Sequence, residues 1–246
     1  MASDKLHLIR ETPERLLAVF AHPDDADIGV GGTLSLFSKN GAIVRLIVAC
    51  NGDKGSLSEG VDSNDLVSLR SSEVAAASQI LGVSYHHFLG IEDGEVENSS
   101  QLRRTIVKEV RSFKPDVVIT HDPNALFFGT TYFNHRDHRE LGMAVLDSVF
   151  PASGSPLYFP ETGRPHQVSY VMLSGTLEAN VAIDISSTIE IKRESVKRHE
   201  SQVMGDSEHI LENLVVGARQ VGKRANVPYA EAFRIVANPK AIRASN

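Results

Sequence analysis

An α/β fold with a mainly parallel sheet is predicted by three features of the chain. Short apolar runs of strand length alternate with longer amphipathic stretches, the pattern of successive βαβ units. Glycine, asparagine and proline punctuate the joins between them. The 246 residues suit one large α/β domain spanning 1–246. A domain of that size buries enough surface to need no disulfide, and Cys50, the single cysteine, can form none within the chain.

Leu16–Ala21 is apolar throughout and reads as the first strand. Gly31–Lys39 follows as a helix, stopped by Asn40-Gly41. Ile43–Ala49 is the second strand. Asp65–Leu81 reads as a helix with Asp65 as N-cap and Gly82 where a C-terminal glycine belongs. Tyr85–Phe88 is a short third strand, Ser100–Phe113 a helix, and Asp116–Thr120 the fourth strand. Arg139–Phe150 reads as a helix ended by Pro151, and Pro151–Pro165 as an irregular surface excursion. Val168–Leu173 and Val181–Ile185 are later strands, and Thr188–Met204 and Ile210–Arg224 later helices.

The formal net charge of −6 argues against nucleic acid as a partner, because that affinity needs clustered cations. The mildly basic stretch carrying Arg219, Lys223, Arg224, Arg234, Lys240 and Arg243 reads as a solvated face. No run approaches the roughly 18 apolar residues of a membrane span. Met1–Arg10 lacks the apolar core of a signal peptide, so a soluble, cytoplasmic protein is expected.

Two polar clusters stand where strands end. His22-Pro23-Asp24-Asp25 follows the first strand. His121-Asp122-Pro123 and then Asn134-His135-Arg136-Asp137-His138 follow the fourth. In the commonest doubly wound order these two strands are neighbours at the switch point, where ligands bind. Either cluster alone reads equally well as a turn or a capped helix start; two of them, each after a strand, argue for a shared site. A catalytic zinc takes three protein ligands and keeps one position open. His22 and Asp25 supply two of them from one loop, and His138 the third from the other. Asp24 is then free to act as general base and His135 to stabilise an oxyanion or protonate a leaving group, with Asp137 fixing the tautomer of His135. Gly29-Val30-Gly31 imitates a dinucleotide fingerprint, but Leu34 stands where its third glycine is required. Gly29, Gly31 and Gly32 fit better as a close approach of helix to sheet.

Ala21-His22-Pro23-Asp24-Asp25, with Ile28-Gly29-Val30-Gly31-Gly32-Thr33-Leu34, resembles the PIG-L/LmbE-like family of zinc-dependent N-deacetylases. The resemblance extends through Asn51-Gly52-Asp53, the helix with Arg70 and Glu73, His135–His138, His199-Glu200-Ser201-Gln202 and Tyr229–Arg234. It implies a Rossmann-like three-layer sandwich with the metal at the strand ends. It implies Zn2+ on His22, Asp25 and His138, though a His2Asp set also suits other divalent ions. It carries the base onto Asp24, the oxyanion histidine onto His135, a substrate contact onto Arg70 and, less directly, a sugar contact onto Asp93. His199 and Gln202, at i and i+3, read as lining the pocket or a subunit contact. Family members often assemble, so a homo-oligomer is among the expectations.

The expected reaction is hydrolysis of an acetyl group from an N-acetylglucosamine-type sugar, a small-molecule substrate. Two rivals are a non-catalytic zinc- and carbohydrate-binding protein and a metal-dependent phosphoesterase. The first has no need of both Asp24 and His135, and the second usually wants two metals, where the chain offers ligands for one. Arg136 stands where the family has proline. With no tryptophan in the chain, any stacking platform falls to tyrosine or phenylalanine. The apolar stretch Phe127–Tyr132 reads as a substrate-facing lid.

Overall fold

A computed structural model describes residues 5–56, 58–203 and 207–237. After a two-residue strand β1 (His7–Leu8), β2 (Arg15–Phe20) divides its side chains between two cores. Leu16, Ala18 and Phe20 enter one, and Leu17 and Val19 the other, as period-two alternation in a doubly covered sheet requires. The chain continues through α1 (Asp25–Lys39), β3 (Ile43–Cys50), α2 (Ser63–Leu81), β4 (Tyr85–Ile91), α3 (Ser100–Phe113) and β5 (Val117–His121). A ribbon of β6 (Phe127–Phe128) and β7 (Tyr132–Phe133) precedes α4 (Arg136–Asp147). Then come β8 (Tyr170–Ser174), β9 (Val181–Asp184), α5 (Ile189–Val196), α6 (Glu200–Val203), α7 (Ser207–Ala225) and β10 (Ala230–Ala237).

The eight-stranded sheet runs β1-β9-β10-β8-β5-β2-β3-β4. From β4 to β8 every pairing is parallel; β10 is antiparallel to both β8 and β9. Residues of α1, α2, α5 and α7 close the core on one face, and α3 and α4 close the other. The fold is the three-layer α/β sandwich expected, and β2 and β5 are neighbours where the strand order reverses. The ends of β2 and β5 therefore open onto one crevice. Among the described residues no helix is long and apolar enough to cross a membrane.

Several element bounds differ from those read in the sequence, each for a physical reason. Helix α1 begins at Asp25, six residues before the expected Gly31, because tertiary packing overrides weak propensity in its glycine-rich first turns. Asp62, not Asp65, caps α2, its carboxylate accepting from the amides of Asn64 and Asp65. Gly82 ends that helix at φ 75°, as expected. Helix α4 starts at Arg136 rather than Arg139, capped by the ring of His135. Regular helix stops at Asp147, and Phe150, ahead of Pro151, is extended. The single helix expected over 188–204 is two, α5 and α6, parted at Lys197–His199; Met204 lies outside the described residues. Strand β10 was not expected, because Glu231 and Arg234 interrupt its apolar pattern.

Gly31 and Gly32 let α1 lie against its neighbours. A Cβ on Gly32 would sit 2.8–2.9 Å from three side-chain carbons of the buried Ile185. In Gly32→Ala the helix gains about 1 kcal/mol of propensity, against about 1–3 kcal/mol for overpacking. The expected result is a lower urea midpoint with an unchanged slope. An unchanged or higher midpoint would mean that Ile185 yields without cost.

Candidate active site

Four loops meet at the C-terminal ends of the parallel strands. His22 and Asp24 follow β2, and Asp25 opens α1. His121 is the last residue of β5, and His135 and His138 sit at the start of α4. Asn51–Gly55 follows β3 and Glu92–Gly94 follows β4. The structure thus brings together the expected His22, Asp24, Asp25, Arg70, Asp93, His135, Asp137 and His138.

Three atoms converge. His22 Nδ1, His138 Nε2 and Asp25 Oδ2 form a triangle with edges of 3.1, 3.2 and 3.3 Å. Ligands about 2.0–2.1 Å from a tetrahedral ion stand about 3.3 Å apart, so the triangle fits such an ion. The opposite nitrogens of both rings are engaged. His22 Nε2 lies 3.2 Å from Asp137 Oδ2, and His138 Nδ1 lies 3.0 Å from Asn134 Oδ1. Each of those oxygens accepts a ring N–H, so the lone pairs of the other nitrogens face the triangle. Asp25 Oδ2 also accepts the His22 amide at 2.7 Å, which folds the carboxylate back over the loop.

The electrostatics favour a cation here. Asp25 is held well below the usual carboxylate range: burial opposes this, but His138 and His121 outweigh it. Asp137 is lowered to about 2; burial opposes the shift, and His22 with the amides of Gly94 and Val96 drives it. The proton affinity of His22 is raised by Asp137 and Asp25 against the effect of burial. Among the described residues two other groupings of His, Cys and Asp stand close enough to be weighed as ligand sets. In His22–His135–Asp137 the nitrogen of His135 already accepts the Asp137 amide at 3.2 Å. In His22–Cys50–Asp93 burial pushes the Cys50 thiol up to about 11, and Asp93 accepts the amides of Gly52 and Lys54. Among the described residues, His22, Asp25 and His138 are the set in which two imidazole nitrogens, each with its opposite nitrogen engaged, meet one carboxylate oxygen.

A polar cavity of about 410 Å3 opens over this triad. Asp24 borders it with a carboxylate whose proton affinity is raised by burial and then by the charge of Asp25. Arg70, 2% exposed, donates from its Nη2 to Asp24 Oδ1 at 3.1 Å and from its Nη1 to the Gly52 carbonyl at 3.3 Å. The same Nη1 lies 3.8 Å from Asp93. Arg70 and Asp93 line the cavity but are also its frame, since Asp93 pins the loop after β3. His135 borders the cavity too. Its Nδ1 accepts an amide, so the neutral ring carries its proton on Nε2. Burial and then the nearby His22 lower its proton affinity. The backbone of Asp137, rather than its carboxylate, thus sets the tautomer of His135; the carboxylate serves His22.

Further residues named in the sequence frame the site in ways that only the tertiary contacts show. His121 stacks on His138 with centroids 4.0 Å apart and planes at 7°. It accepts the Ala21 amide on Nε2 and is pushed down to about 4, chiefly by burial and then by His138, so it is a neutral support. Glu73 accepts both the amide and the hydroxyl of Ser201 at 2.7 Å. That ties α6 to α2 and sets Gln202, which donates to Gly55 O at 2.9 Å, on the cavity wall. His199 does not share that wall; it is buried against Asp27 at 3.1 Å. Phe127–Tyr132 belongs to the β6–β7 ribbon, and Tyr132 reaches the cavity.

Comparison with known proteins gives several matches. A family model described as PIG-L, GlcNAc-PI de-N-acetylase, matches residues 17–149. The chain is 30% identical over 232 residues to the diacetylchitobiose deacetylase of Thermococcus kodakarensis, with 91% of this chain and 83% of that protein covered. It is 31% identical over 183 residues to a 1D-myo-inositol 2-acetamido-2-deoxy-alpha-D-glucopyranoside deacetylase of Saccharopolyspora erythraea, with 63% of each covered. Among solved structures, the N,N'-diacetylchitobiose deacetylase from Pyrococcus horikoshii matches with a TM-score of 0.84 at 28% identity, over 92% of this chain and 84% of that one.

Proposed function

The chain belongs to the PIG-L family, and from that premise we propose that it hydrolyses the acetamide of an N-acetylglucosamine-type sugar or conjugate, releasing acetate and the free amine. One observation carries the reading: the lone pairs of His22 and His138 converge with Asp25 beside a cavity that Asp24 and His135 also border. A divalent ion on those three residues, zinc by the donor set, would polarise the acetyl carbonyl and acidify water.

Asp24 is the general base of this reading. Arg70 holds its Oδ1, which leaves Oδ2 to take a proton from the attacking water. Burial and Asp25 strengthen it as a base in the useful direction. The protonated carboxyl then gives its proton to the departing amine. His135, neutral with Nε2–H, donates to the oxygen that becomes negative. Arg70 and Asp93 meet the sugar from the cavity wall, and Asp137 keeps His22 in the tautomer that can ligate.

The test is a screen of metal-loaded protein for amine and acetate release from N-acetylglucosamine and its conjugates. A metal-bearing protein that turns over none of them would be a binding protein. His135→Ala is expected to lose about 10²–10³-fold in kcat, the cost of one oxyanion donor, with metal content unchanged. Loss of metal in that variant would move His135 into the ligand set.

A further inference from the structure

Two cavities meet at the triad. The polar one has His22, Asp24 and His135 on its walls. A second, of about 280 Å3, lies beyond Asp25, Tyr132 and His138, the three residues that line both. Ile28, Gly29 and Phe128 give it more apolar than polar surface, with His121, Asp122, Asn134 and Ser174 as its polar part. Ile28, Gly29, Ser174 and Gly175 also line a third space of about 560 Å3. There Leu214, Ala218 and Val221 of α7 face β10 across a mostly apolar trough.

The chemistry decides which part of a substrate runs that way. In an amide held at the triad, the departing nitrogen must lie beside a proton donor, and the carbonyl oxygen beside His135. Asp24 and His135 border only the polar cavity, so the amine and its sugar belong there. The remaining substituent of the carbonyl carbon is the acyl chain. The space on the side away from Asp24 is the second cavity, which Tyr132, with the edges of Asp25 and His138, shares with the first. An acetyl group has one methyl to place, and the space holds far more than that.

We propose that the second cavity is an acyl-chain channel and that the protein hydrolyses N-acyl amino sugars with chains longer than acetyl. This rests on the hydrolase reading above. The reaction balances at any chain length. The oxygen of water joins the acyl carbon, the C–N bond breaks and a proton passes through Asp24 to nitrogen. The products are a carboxylate and an ammonium.

The experiment measures amine release by the metal-loaded protein from N-acetyl-, N-butyryl- and N-hexanoylglucosamine. A methylene that enters an apolar channel raises kcat/KM about fourfold, so N-butyryl, with two more, is expected to exceed N-acetyl by about 15-fold. Gly29→Leu puts a side chain into both apolar spaces that Gly29 and Ser174 line, since a Cβ there already comes within 3.1 Å of Ser174 Oγ. The butyryl-to-acetyl ratio is expected to fall about tenfold in it, and to fall less in the milder Gly29→Ala. Acetyl release with kcat/KM declining at each added carbon overturns the channel and leaves the deacetylase. No release from any of the three overturns both.

Discussion

Asp24→Asn retains its metal and loses about 10²–10⁴-fold in kcat, the contribution of a positioned general base. The exchange keeps the shape of the side chain, and an amide oxygen still accepts from Arg70 Nη2, which lies 3.1 Å from Asp24 Oδ1. The triangle of His22, Asp25 and His138 does not include Asp24, so one ion per chain is expected in both proteins. What changes is the ability to accept a proton. The native carboxylate has its proton affinity raised by burial and by Asp25, and an amide has none to tune. KM is expected to move little. Metal analysis and kcat on one preparation make the check; near-normal turnover would move the base to another group.

The crevice was legible because its residues sit next to the strands in the chain. His22–Asp25 directly follow β2 and His121 ends β5, so the strand pattern alone placed them at one end of the sheet. The pairing of β2 with β5 then brought the two loops together. Arg70 is different. It lies mid-helix, where nothing in the local pattern distinguishes a buried guanidinium from a solvated one, and only the family resemblance pointed to it. The resemblance implied a substrate contact, whereas the geometry adds a direct hold on Asp24.

The parts that were not legible depend on tertiary contacts. A histidine N-cap has no capping signature, so α4 starts three residues early and His135 acquires its tautomer from a backbone amide. The break between α5 and α6 follows from Asp27 drawing in His199 and Glu73 drawing in Ser201, partners more than a hundred residues away. β10 joins the sheet because Glu231 is buried with partners of its own. It accepts the amides of Gly32 and Thr33 and the ammonium of Lys192, which offsets the cost of a carboxylate in that strand. None of these pairings leaves a periodic trace in the sequence.

His138→Ala is expected to strip the metal and bring turnover down to that of chelated protein. It removes one of three ligands, and no neighbour can replace it. His121 stacks on His138, but its Nε2 lies 3.4 Å from Asp25 Oδ2 and is occupied by the Ala21 amide. Asn134, which orients His138, is left with an unused acceptor. Added metal should therefore fail to restore activity. Asp137→Asn gives the contrast that makes the result specific. Asp137 touches His22 rather than the ion position, and it also accepts from Gly94 at 2.6 Å and Val96 at 3.2 Å. An asparagine must turn its NH2 group toward one of these donors or toward His22, where it would put the ring proton on Nδ1. The cost of disturbing such a partner is about 10–100-fold in metal affinity. That loss is recoverable in excess metal, whereas the loss in His138→Ala is not. Dialysis against graded metal followed by metal analysis and kcat separates them. Full metal binding by His138→Ala would break the triad apart as a binding site.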